Sequence, residues 1–111
     1  MGIQNWSENI ILVNLAKEPQ MGEELKTVTD IIAENGNRDV VVDFADVDIM
    51  TSSSIAKLLK LRKTLTDCGH RLILASVRPR TKKIFSLTGL DSVFEFADDQ
   101  FVALASLQLV N

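Results

Sequence analysis

VVVDFADVDIMTSSSIAKLLKLRKTL runs from Val40 to Leu65 and changes character midway. Its first half is a nearly continuous β-branched run, the composition of a strand whose two faces are both covered. In its second half Ile55, Leu58, Leu59, Leu61 and Leu65 recur at three- and four-residue spacing, with Lys57, Lys60, Arg62 and Lys63 off that stripe. This is the pattern of an amphipathic helix. Between the two lie Thr51, Ser52, Ser53 and Ser54, hydroxyls in a row at the point where the helix begins.

The same two periods continue on either side. Upstream, Leu25, Val28, Ile31 and Ile32 predict a helix from Met21 to Ala33, which ENGNR ends with Gly36 as the C-terminal cap. Before it, IQNWS and NIILVNLA are short apolar or alternating segments that predict an opening hairpin, with Trp6 directed into the core. Downstream, the second helix runs from about Ser53 to Asp67, and Gly69 caps it. RLILASV is the next strand, and Pro79 opens a third helix with Ile84, Phe85 and Leu87 as its buried side. VFEF is a last short strand. Asp98 or Asp99 caps a final helix, with Phe101, Leu104, Ala105 and Leu107 or Gln108 marking its faces, that lies across the end or edge of the sheet. A hairpin followed by alternating helices and strands predicts a single α/β domain over 1–111. Its sheet is mixed and mostly parallel, with about four helices packed against it.

At 111 residues the chain has room for one core. A composition of 46% hydrophobic and 24% charged residues is that of a folded globular protein. The net charge of −3 disfavours a partner bound through phosphate neutralisation, so no nucleic acid is expected. No apolar run approaches the roughly 20 residues that span a bilayer, and MGIQNWSENI lacks the pattern of a secretory signal. The lone cysteine, Cys68, forms no internal disulfide and reads as a small packed residue. A cytoplasmic location without membrane attachment is the expectation.

The hydroxyls admit two readings. A side-chain oxygen at a helix start accepts a hydrogen bond from an unpaired backbone N–H, a role that Thr51 or Ser52 fills. The remaining serines then meet solvent or serve as a modification or anion site, since a phosphate on Ser52 or Ser53 would lie in the positive field of the helix end. A nucleophilic serine would need a base within hydrogen-bond reach. The one histidine, His70, follows the far end of the second helix, about 20 Å away at ~1.5 Å per residue. Neither a catalytic set nor metal-ligand spacing is present in the sequence, and no cofactor is expected. Arg78, Arg80, Lys82 and Lys83 form a basic loop that a parallel sheet would bring to the same edge as the serines.

Taken together, VVVDFADVDIMTSSSIAKLLKLRKTL and RLILASVRPRTKKIFSLTGLDSVFEF, in this order and after a hairpin, resemble the STAS domain of bacterial anti-sigma factor antagonists over nearly the whole chain. The resemblance implies a non-catalytic, partner-switching fold. Antagonists of this type carry an Asp-Ser-Ser-Gly stretch whose second serine is phosphorylated by a partner that is both kinase and anti-sigma factor. That serine corresponds to Ser53, preceded by Ser52; Thr51 stands in place of the aspartate and Ser54 in place of the glycine. The implied docking surface comprises Asp46, Asp48, Met50, Thr51, Ser52, Ser53, Ser54 and Lys57. The implied partners are an anti-sigma factor or related serine kinase and a serine phosphatase. The other reading is a STAS scaffold or anion-sensing module that is never phosphorylated.

Overall fold

The computed structural model describes residues 2–108, and among these the chain forms five strands and four helices. They are β1 (Ile3–Asn5), β2 (Ile10–Asn14), α1 (Gln20–Glu34), β3 (Asp39–Asp43), α2 (Ser52–Asp67), β4 (Leu72–Ala75), α3 (Pro79–Leu87), β5 (Glu95–Ala97) and α4 (Gln100–Gln108). The predicted order is the observed one. The sheet runs β1-β2-β3-β4-β5, with β1 antiparallel to β2 and every other pair parallel.

Side chains alternate across the strands and so divide the core in two. Ile11, Val13, Val40, Val42, Leu72 and Leu74 face α1, α2 and α3, where they meet Leu25, Val28, Ile32, Leu58, Leu61, Leu65 and Phe85. Ile10, Leu12, Val41, Ile73 and Ala75 face the other way, onto Ala103, Leu104 and Leu107 of α4. Both faces are therefore covered, which explains why β3 and β4 read as unbroken apolar runs. The predicted placement of the last helix at an end or edge is corrected: α4 covers the opposite face, packed on β3, β4 and β5. Asp99 caps it by accepting the Val102 N–H at 2.9 Å.

Other local expectations also change. Trp6 lies outside the core, 37% exposed at the hairpin turn, where its N–H donates to the Ile10 carbonyl at 3.0 Å. Leu87 is 77% exposed, and Thr81 with Phe85 forms the buried side of α3. Asn35, not Gly36, is the C-cap of α1, and its N–H bonds the Ile31 carbonyl at 3.0 Å. Gly36 instead lies close to Cys68, whose exposed side chain would have to turn aside for a Cβ at that position. Cys68 itself is exposed, not packed inside. Gly69 does take a left-handed conformation at φ 78°, as a helix-terminating glycine does.

The carboxyl ends of the parallel strands share one edge. Leu15 N–H donates to the Asp43 carbonyl at 3.0 Å, Phe44 N–H to Ala75 at 2.8 Å and Ser76 N–H to Ala97 at 3.3 Å. The segments 15–19, 44–51 and 76–78 therefore emerge side by side, next to the start of α2. Asp43 is buried at this edge; its Oδ1 accepts the Ala45 N–H at 2.7 Å and its Oδ2 accepts from Gln100 Nε2, which also donates to Asn14. Asp43→Ala would strip these donors of their acceptor. It is expected to cost about 1–3 kcal/mol, measured by urea unfolding.

Candidate functional site

The turn that carries the serines is built from the inside out. Val47 and Met50 are buried beneath the β3–α2 loop, and the Val47 N–H closes a turn onto the Phe44 carbonyl at 2.9 Å. Asp46, Asp48 and Ile49 between and beside them face outward, Ile49 with 57% of its surface exposed. From the neighbouring strand end, Arg78 pairs with Asp48 at 2.6 Å and the Thr81 hydroxyl donates to the Asp48 carbonyl at 3.3 Å. This is the part of the basic loop that reaches the turn. Lys82 instead lies over the Phe96 ring, 4.1 Å from its centroid.

Thr51 is the N-cap. Its backbone is extended, at φ −81° and ψ 162°, and its Oγ1 accepts the Ser54 N–H at 3.1 Å. Ser54 turns its side chain inward and is 2% exposed, its Oγ lying 3.3 Å from Thr51 Oγ1. Ser52 and Ser53, the first two residues of α2, are exposed and take no part in this cap. Four hydroxyls that look alike in sequence thus divide into one cap, one buried brace and two that face solvent. Thr51→Ala is expected to cost about 1 kcal/mol and Thr51→Ser much less, read from denaturation midpoints.

The predicted contact residues do not all share a surface. Asp46, Asp48, Thr51, Ser52 and Ser53 are exposed on one end of the molecule. Met50 and Ser54 are corrected to interior positions: Met50 fills space beneath the loop and Ser54 closes the cap. Lys57 is half-buried one turn along, with its side chain lying over Gly22 of α1, where any larger residue would meet the ammonium. His70 is brought elsewhere. It sits at the opposite edge of the sheet with Nδ1 3.1 Å from Asp39 Oδ1 at the start of β3. Among the described residues, no group of three or more His, Cys, Asp or Glu is placed to hold a metal ion.

One participant was missed in the sequence. Glu18, in the β2–α1 segment, reaches across to α2, and its Oε2 accepts the Thr51 N–H at 2.8 Å. Partial burial, the largest single influence on this carboxyl, would raise its pKa. It is outweighed by the Thr51 N–H, the hydroxyls of Ser54 and Thr51 and the charge of Lys57, which hold the pKa below its ordinary value of 4.5. The neighbourhood of parallel strand ends that predicted the approach of Arg78 also predicts this one, because the segment after β2 leaves the same edge.

The STAS domain family model matches residues 22–101. The chain belongs to the STAS domain family. Among curated relatives, this STAS domain is 28% identical to BtrV of Bordetella bronchiseptica, named as an anti-sigma factor antagonist, over 87% of this chain and 80% of that protein. Among solved structures it superposes on the Bacillus anti-sigma factor antagonist SpoIIAA in its unphosphorylated form with a TM-score of 0.81 at 16% identity, covering 98% of this chain and 96% of that one. The phosphorylated form of SpoIIAA gives a TM-score of 0.73 at 18% identity, over 95% of this chain and 96% of that one. At such identities the structural likenesses speak to the fold. Among the described residues, no helix of this STAS domain is long and apolar enough to cross a membrane.

Proposed function

We propose that this STAS domain is a partner-switching regulator of the anti-sigma factor antagonist kind, non-catalytic and cytoplasmic. In the unmodified state the start of α2, with Asp46, Asp48 and Ile49 of the preceding loop, docks on an anti-sigma factor that is also a serine kinase. The observation that carries this reading is the division of labour at the turn: Thr51 and Ser54 form the cap, leaving Ser53 and Ser52 exposed and free for chemistry. Ser53 Oγ takes the γ-phosphoryl group of ATP, its hydroxyl proton passes to a base on the kinase, and ADP leaves. The product carries about −1.5 to −2 charges on a surface that must be desolvated for docking, so the complex dissociates. A serine phosphatase restores the hydroxyl.

The likeness to BtrV and the STAS fold support an anti-sigma factor as the partner. Intact-mass measurement after incubation with a candidate kinase and ATP tests the switch. A gain of one phosphate, lost in Ser53→Ala, is the expected result; Ser52→Ala separates the neighbouring serine. The second reading, a STAS scaffold or anion-sensing module never phosphorylated, is favoured by one observation. Exposed Thr51 stands where antagonists have aspartate, so the turn lacks that carboxylate beside Ser53. A chain that stays unmodified yet binds its partner would establish it.

A further inference from the structure

The amino end of α2 already holds an anion, and it belongs to the chain itself. Glu18 lies 33 positions before Thr51, yet its Oε2 accepts the Thr51 N–H at 2.8 Å. The Thr51 and Ser54 hydroxyls and the Lys57 charge stand near enough to help keep that carboxylate ionised. A helix start is where unpaired N–H groups and the helix field favour negative charge, and here Glu18 has taken that position. Ser52 and Ser53 are the next residues along. A phosphate on either would add a second anion at the same helix end, one or two residues along from the Thr51 N–H that Glu18 holds. Two anions gathered at one helix end repel, and the more so as salt falls.

We infer that Glu18 is a positioning residue that couples the serine turn to the β2–α1 segment. A phosphate on Ser53 competes with the Glu18 carboxylate for the amino end of α2, and the displaced carboxylate loosens residues 16–19, beyond the buried Leu15. That segment is one wall of an open cleft of about 790 Å³, which Leu15, Ala16 and Lys17 line together with Glu24 and Asp46. The same wall is also held by the Leu15 N–H on the Asp43 carbonyl at 3.0 Å and, through a side chain, by the Ala16 N–H on Glu24 Oε1 at 2.7 Å. Loss of the Glu18 contact leaves that bond as its remaining side-chain tether among the described residues. Charge placed at the serine is thereby felt on the far side of the loop, next to Asp46 of the docking surface.

The inference takes the serine switch of the proposed function as its setting. Its test needs neither kinase nor partner, because phosphoserine can be installed at position 53 during translation. Melting temperatures are compared for the unmodified and phosphorylated chains, each with Glu18 and with Glu18→Gln. In the Gln variant the Glu18 charge is gone while the favourable helix field remains. Its effect on the melting temperature should be more stabilising there than in the parent, by about 4 °C or more, the shift expected for a 1 kcal/mol coupling in a domain of this size. The difference should shrink in 1 M salt. A second measurement needs no variant: amide resonances of Ala16 and Lys17 should shift when the parent chain carries phosphoserine. Equal melting shifts in the two backgrounds, or unmoved Ala16 and Lys17 amides, would overturn the coupling. Failure of any kinase to modify Ser53 would overturn the proposed function and leave both measurements standing.

Discussion

Ser53→Asp is expected to bind the anti-sigma partner at least tenfold more weakly than the parent chain, and Ser53→Ala to bind as well as the parent does. Tenfold corresponds to 1.4 kcal/mol, which one unpaired charge desolvated in an interface readily supplies. Ser53 is exposed and makes no contact that holds the cap, so neither change should disturb the fold. Titration calorimetry gives the affinities, and matching melting temperatures would certify that the comparison concerns the interface. Equal affinities of the Asp and Ala variants would sink the switch. The corresponding pair at Ser54 should behave differently, since a carboxylate there would be buried in the cap beside Glu18 and would lower stability first.

Phe85→Ala is expected to remove about 3–5 kcal/mol of stability, measured by chemical denaturation. Phe85 is fully buried, and its ring meets Phe44, Phe94 and Phe96 edge-on at centroid distances of 6.3, 5.6 and 5.7 Å. Those rings come from the segment after β3, the segment before β5 and β5 itself, so one side chain joins α3 to three other parts of the chain. Domains of this size have some 5–15 kcal/mol in total, and the variant should therefore lie close to unfolding at body temperature. A loss below 1 kcal/mol would mean that the three rings close over the gap.

Acid should weaken the turn in a defined direction. Because the Glu18 carboxyl is held below 4.5, the folded chain gives up its proton more readily than the unfolded chain does. Its contribution to stability is complete above that ordinary value and is lost as the pH falls through it toward the lowered folded value. A melting temperature that drops over this range, and drops less in Glu18→Gln, is the expected outcome.

The element order was legible because each segment's apolar residues follow one period and the periods switch cleanly. Val40–Val42 and Leu58, Leu61 and Leu65 all lie where their spacing places them. α4 was harder to place because its apolar residues go all the way round. Phe101 at 85% exposure and Val102 at 49% stand beside buried Ala103 and Leu104, so spacing gave no direction to its inner face. At the site, the capping role and the exposure of Ser52 and Ser53 follow from a helix start, and the sequence marked the place. It did not separate Ser54 from its neighbours, because burial depends on where the turn sits over Glu18 and not on residue type. Glu18 itself was missed because its bond spans 33 positions and leaves no local pattern.

The position of α4 bears on how the chain is made. Ile10, Leu12, Val41 and Ile73 are joined into one apolar surface by strands that leave the ribosome well before Ala103, Leu104 and Leu107, which shield it. A sheet assembled before α4 docks would present that apolar back uncovered. Until Gln100 ties down Asn14 and Asp43, that back has no cover of its own.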